Sequence, residues 1–251
     1  MTDHHDFAPG DGGLPAWDSA LVVVAHPDDE SFGLGGVIDA LIRAGTEVTV
    51  LCLTAGEAST LGSSDDNGTP ADLAAVRAAE LDDAARRLGV RTSILRKHPD
   101  GGLTDRIPEL VEDVTRVVDE VRPDGLVVFG LGGGVTGHPD HEAASRAAME
   151  VAAAASLPVL EWCLPRQVAE VLNTEFGAAF TGFDTAELPI TVRVDRDRQR
   201  RAIDAHVSQA VPGSVLWRRL ELLGDREHLR LTRPRTSSPS SRGSRGGPLL
   251  P

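Results

Sequence analysis

Histidine and aspartate recur in two short segments of this 251-residue chain. The first reads Ala25-His26-Pro27-Asp28-Asp29-Glu30 and the second His138-Pro139-Asp140-His141. Imidazole nitrogens and carboxylate oxygens bind zinc, and a catalytic zinc site takes three such ligands and keeps one position open. His26, Asp29, His138 and His141 offer two imidazoles and one carboxylate, with one imidazole to spare. Asp28 and Asp29 are neighbours on a turning backbone, so one can hold metal while the other faces a water. Zinc brings the pKa of its water to about 7. A carboxylate within reach can take the proton as that water attacks a carbonyl, and a second donor can meet the oxyanion that forms. The set therefore points to metal-dependent hydrolysis. The expected cofactor is Zn2+, and Fe2+ suits the same two-histidine, one-carboxylate chemistry.

Apolar periodicity supplies the elements that must place these groups. Ala20–Ala25 is a continuous apolar run, which fits a buried parallel strand. Gly33–Ala44 follows with helical spacing at Leu34, Val37, Ile38, Leu41 and Ile42. Further strands are expected at Glu47–Thr54, Arg91–Leu95, Gly125–Phe129 and Leu157–Cys163. Helices are expected at Ala71–Leu88, at Ile107–Val121 and from Pro139 or Asp140 onward. This alternation predicts an α/β fold with a mostly parallel sheet. Ligands bind such sheets beyond the carboxyl ends of the strands. His26 directly follows the first strand, and His138 follows the Gly125–Phe129 strand across the glycine-rich loop Gly130–Gly137. Both motifs therefore fall at one sheet edge.

Composition bounds the rest. A net charge of −13 argues against a nucleic-acid binder, which needs a cationic face. The local cluster Arg193, Arg196, Arg198, Arg200 and Arg201 reads as a solvated helix start. No apolar run approaches the ~20 residues of a membrane span, and no secretory signal is visible, so a cytoplasmic location is expected. Cys52 and Cys163 lie in apolar runs outside any CxxC pattern and read as reduced core residues. The chain has no tyrosine, so no mechanism can draw a phenol from it. Residues 1–16 and 234–251 are poor in apolar groups and read as disordered tails, leaving one folded domain over residues 17–233.

Both motifs resemble those of the LmbE-like, or PIG-L, family of zinc-dependent N-deacetylases. Gly56-Glu57-Ala58-Ser59, Arg77 and Glu80, and Pro99-Asp100-Gly101-Gly102-Leu103 add to the likeness, as do Arg201-Ala202-Ile203 and His206-x-Ser208-Gln209. The resemblance spans roughly residues 18–210. It implies a Rossmann-like three-layer sandwich. It implies that His26, Asp29 and His141 bind zinc and that Asp28 is the general base. His138 would stabilise the oxyanion and protonate the leaving amine, with Asp140 as its partner, and Glu30 would be structural. Glu57, Arg77, Asp100, Thr136 and His206 are the candidate substrate contacts. The implied substrate is a small-molecule N-acetylglucosamine-type conjugate: a sugar-inositol, a thiol precursor or a glycosylated natural product. Members often assemble as homo-oligomers. Some that act on a sugar-inositol place a tyrosine two residues before the first histidine of the second motif. Thr136 stands there in this chain, a shorter and poorly acidic hydroxyl that does not replace a phenol.

Three other readings stand beside this one. An amidase cleaving thiol S-conjugates would share the zinc site and differ in its pocket. A nucleotide-binding Rossmann protein would use the glycine clusters. However, the run from Gly33 reaches Ile38 where the fingerprint ends in glycine, and the run from Gly130 reaches Val135. A binding protein with a merely structural metal would have no activity to lose on replacing Asp28.

Overall fold

Ser19–Val24 (β1) sends apolar side chains to both faces and is buried from Ala20 onward, as a central parallel strand requires. The computed structural model describes residues 13–61 and 69–233. Glu47–Thr54 (β2) and Thr92–His98 (β3) extend the sheet in parallel on one side of β1. Gly125–Phe129 (β4) and Val159–Pro165 (β5) extend it in parallel on the other. Gly182–Phe183 (β6) pairs with the end of β5. Arg226–Thr232 (β8) runs antiparallel to β5, and Ile190–Arg193 (β7) antiparallel to β8. The order is β3-β2-β1-β4-β5-β8-β7. The sheet is mostly parallel, as the alternation predicts, and the antiparallel margin goes beyond the elements read from the sequence.

Alternate residues of β1 and the Ala25 that follows it feed two cores. Ala20, Val22 and Val24 pack with Val37, Ile38 and Leu41 of Gly35–Arg43 (α2) and with Leu81, Ala84 and Leu88 of Pro70–Leu88 (α3). Leu21, Val23 and Ala25 pack with Leu110, Val114 and Val117 of Ile107–Val121 (α4) and with Ala143, Ala144 and Ala147 of Pro139–Ala155 (α5). Arg166–Phe176 (α6), Arg196–Ile203 (α7) and Val215–Leu223 (α8) contribute Leu172, Ala202 and Leu223 to the first core. The result is a three-layer sandwich. α3 opens on a Thr69–Asp72 capping box with Pro70 and stops at Gly89 in the left-handed region.

Three expectations need correction. Helical structure after β1 begins at Asp29–Phe32 (α1) rather than Gly33, because the chain turns at Asp28. Gly33 then packs on Phe129, where a Cβ would lie 2.4 Å from the ring. The arginine cluster is only partly solvated: Arg196 is buried against Glu227, and Arg198 pairs with Asp39 at 3.0 Å. The sequence also places residues 13–16 in a tail, but Leu14 is 5% exposed and packs in the first core with Trp17. Residues 1–12 and 234–251 lie outside the described residues. Cys52 and Cys163 are buried and free. Among the described residues, no helix is long and apolar enough to cross a membrane.

Leu14→Ala should cost about 2–5 kcal/mol, the usual range for truncating a buried leucine. A urea midpoint measures it, and a tail residue would give no shift.

Candidate metal centre and its supports

The sheet grows outward in opposite directions from β1 and β4, and the crevice between their carboxyl ends is the place where open α/β sheets bind ligands. His26 leaves β1 there, and His138 caps the N-terminus of α5 there. His26 Nδ1 lies 3.1 Å from His141 Nε2 and 3.5 Å from Asp29 Oδ2. His141 Nε2 lies 3.1 Å from Asp29 Oδ1. Zinc bonds of about 2.0–2.1 Å put tetrahedral ligand atoms roughly 3.3 Å apart, so this donor set fits the ion. His138 brings a third imidazole nitrogen within 4.8 Å of those of His26 and His141, on the exposed side of the cluster.

His26, Asp100 and Asp140 form a second possible set, built on the other nitrogen of the same ring. Nε2 lies 3.0 Å from Asp100 Oδ1 and 3.5 Å from Asp140 Oδ2. Metals on both nitrogens would require an imidazolate. A carboxylate behind a ligating imidazole commonly orients that ring instead, and Asp100 and Asp140 fit that part.

Asp28 sits in a strained turn, with φ 122° and ψ −28°. Its backbone N–H donates to Glu30 Oε2 at 3.0 Å, and its carbonyl accepts from Ser31 N–H at 3.0 Å. Arg77 reaches across from α3 to donate to Asp28 Oδ2 at 3.0 Å and to the carbonyls of Pro27 and Gly56. Glu30 is fully buried; its Oε1 accepts from Ser31 Oγ at 2.6 Å and lies 2.7 Å from His206 Nε2. Asp29 Oδ2 accepts the backbone N–H of His26 at 2.9 Å, so this carboxylate is held by its own turn.

The glycine-rich loop has a different anchor. The N–H groups of Gly132, Gly133 and Gly134 converge on Glu142 Oε2 at 3.0, 2.9 and 2.9 Å. Such a nest suits an anion, and the chain fills it with its own carboxylate, which removes the phosphate seat a nucleotide binder would need. The sequence reading passed over Glu142. The available signal is an acid in the first turn of a helix that follows clustered glycines.

The five candidate substrate contacts all have partners within the protein. Arg77 is buried on Asp28 rather than open to a ligand. Asp100 faces His26 and accepts the Ala58 N–H at 2.9 Å, while Glu57 accepts the Asp100 N–H at 3.0 Å. Thr136 Oγ1 lies 2.7 Å from His141 Nδ1. His206 is fully buried on Glu30. Asp140 needs a correction too. Its carboxylate accepts the N–H groups of Gly101 and Leu103 at 2.8 and 3.1 Å and faces His26, not His138. Only its backbone N–H meets His138, donating to Nδ1 at 3.2 Å.

These contacts move proton affinities. Burial pushes the Asp28 carboxyl up and Arg77 opposes it, while the charge of Asp29 adds to the rise; the result is about 6. Burial would raise Asp100 as well, but His26 outweighs it and brings the group down to about 2. Burial lowers His138, and the neighbouring His26 and His141 lower it further.

A His/Asp set that could hold a metal, beside an Arg77-bound carboxylate and an exposed imidazole, suits a hydrolytic centre on a Rossmann-like sandwich. Residues 21–152 match the family described as PIG-L: GlcNAc-PI de-N-acetylase, and the chain belongs to that family. It is 29% identical to the 1D-myo-inositol 2-acetamido-2-deoxy-alpha-D-glucopyranoside deacetylase of Nakamurella multipartita, over 78% of this chain and 81% of that one. A probable N-acetyl-alpha-D-glucosaminyl L-malate deacetylase 2 of Bacillus anthracis is 34% identical over 53% of this chain and 58% of its own. The solved N,N'-diacetylchitobiose deacetylase from Pyrococcus horikoshii superposes with TM-score 0.63 and 25% identity, over 86% of this chain and 84% of that one.

His206→Ala should cost about 3–5 kcal/mol, because it leaves the Glu30 carboxylate buried without its partner. Chemical denaturation measures this, and an unchanged midpoint would show that the pair holds nothing in place.

Proposed function

We propose that this protein is a zinc-dependent hydrolase that removes the N-acetyl group from an amino-sugar conjugate. The carrying observation is the convergence of His26 Nδ1, His141 Nε2 and the Asp29 carboxylate next to the strained Asp28. The names of the three relatives carry an inositol, a malate and a chitobiose part, each with acetylated nitrogen. The acetamido sugar is common to them, so the reading keeps it and leaves the attached group to the rim of the crevice.

His26, Asp29 and His141 are the residues that would hold the metal. Two nitrogens and one oxygen suit zinc, and iron(II) takes the same set. When bound, the ion supplies Lewis acidity, which acidifies water and polarises an acyl carbonyl. Asp28 takes the proton of the attacking water. A carboxyl near 6 is still ionised at neutral pH and is a stronger base than an ordinary aspartate. Arg77 and the backbone contacts of the turn fix its direction. The proton it gains is then available to the leaving amine nitrogen. His138 receives the Asp140 N–H on Nδ1, so the proton of the neutral ring sits on Nε2. That N–H is the donor for the developing oxyanion. His138 thus works as a neutral imidazole, because burial and the neighbouring His26 and His141 outweigh the pull of Asp140 and Asp29.

Asp28→Asn should retain its metal while kcat falls by about 10²–10⁴-fold, the range for losing a general base. Metal analysis and acetate release from a panel of N-acetylglucosaminyl conjugates read the two quantities. A zinc-loaded protein inactive on every N-acetyl substrate but active on thiol S-conjugates would replace the deacetylase reading with the amidase one. In the unsubstituted protein kcat/KM should fall as pH drops through about 6, where the base becomes protonated. Arg77→Gln removes the cation that lowers the Asp28 pKa, so the same limb should move to higher pH.

A further inference from the structure

Thr136 lies on the loop between β4 and α5, and its hydroxyl is 2.7 Å from His141 Nδ1. The opposite nitrogen of that ring, Nε2, is the one that faces His26 Nδ1 and Asp29 Oδ1, at 3.1 Å each. A metal can bind Nε2 only when that nitrogen carries no proton, which puts the proton of the neutral ring on Nδ1. Nδ1–H then donates to Thr136 Oγ1. The same oxygen accepts the backbone N–H of His138 at 3.3 Å. Both lone pairs of the hydroxyl are thereby engaged inside the protein.

The loop is strained in the way needed to aim this side chain. Val135, directly before Thr136, has φ +64°, a region that a β-branched residue enters only under constraint. Its side chain is fully buried, and its carbonyl accepts the Thr181 N–H at 2.8 Å. On the other side, Gly134 presses on α5 so closely that a Cβ would lie 2.4 Å from His141 Cβ. The loop is therefore clamped to the helix turn that carries the ligand, and the strain at Val135 turns the next hydroxyl onto the ring.

We propose that Thr136 is a positioning residue for His141: its hydroxyl fixes the tautomer and angle of the ring and serves the metal, not the substrate. This rests on His141 being a metal ligand. Partners of this kind typically contribute 10–100-fold to metal affinity.

Zinc affinity of the metal-free protein, measured by competition with a chromophoric chelator, tests the idea. Thr136→Val keeps the shape and deletes the hydroxyl; it should weaken zinc binding by about 10–100-fold. Thr136→Ser should restore affinity close to that of the unsubstituted protein. At saturating zinc, KM for an N-acetyl amino-sugar substrate should not change in either variant. Unchanged zinc affinity in Thr136→Val together with a raised KM would overturn the proposal and make the hydroxyl a substrate contact. If Thr136→Val does not fold, ring-nitrogen NMR of His141 in the unsubstituted, zinc-loaded protein decides instead. An Nδ1–H held in a hydrogen bond and protected from exchange with water supports the proposal, and a freely exchanging Nδ1–H overturns it. His141→Ala separates the two layers: zinc affinity equal to that of the unsubstituted protein would show that His141 is not a ligand, which is a failure of the metal assignment itself.

Discussion

A carboxylate withdrawn from water must be met by a cation or by N–H and O–H donors, and this requirement organises the crevice at the end of the sheet. Asp29, Glu30 and Asp140 are all buried there. Their donors come from well-separated parts of the chain: the turn after β1, the segment around Gly101 and Leu103, the start of α5, and the loop after α7. Arg77 on α3 meets the half-buried Asp28 in the same way. The His/Asp cluster and its supports therefore come together only when the whole sandwich is assembled. The His206–Glu30 contact shows this most directly, since it ties a segment late in the chain to the turn that carries Asp28.

The sequence was most readable where a residue type is rarely used for anything else. The two His/Asp motifs after apolar strands mark a metal centre because few other sites need that combination. Ile107–Val121 was equally plain: its helical apolar spacing carries from the first turn to the last, and the observed α4 has the same ends. The direction in which a polar side chain points was not readable. Glu57, Arg77, Asp100, Thr136 and His206 all stand near the centre, and all turn toward other protein groups. Spacing tells that a residue is near a site, and only the packed backbone tells which way it faces. Asp140 misled for the same reason: its nearness in sequence to His138 hides a carboxylate that reaches His26. The antiparallel margin was obscured because β7 and β8 mix charged and apolar residues and lack the continuous apolar runs of β1 and β4.

The nest at Gly132–Gly134 has a consequence for how ligands are met. In a nucleotide-binding loop of this shape the anion arrives with the ligand, and ordering of the loop is charged against affinity. Here Glu142 is covalently part of the chain and is always present at the nest. Ordering of the loop belongs to the folding equilibrium and is complete before any substrate diffuses in. The groups that follow the loop, from Thr136 to His141, thus follow a turn that the chain itself anchors. Ligand occupancy can drain the crevice of water or fill it, but the Gly132–Gly134 turn already has its anion.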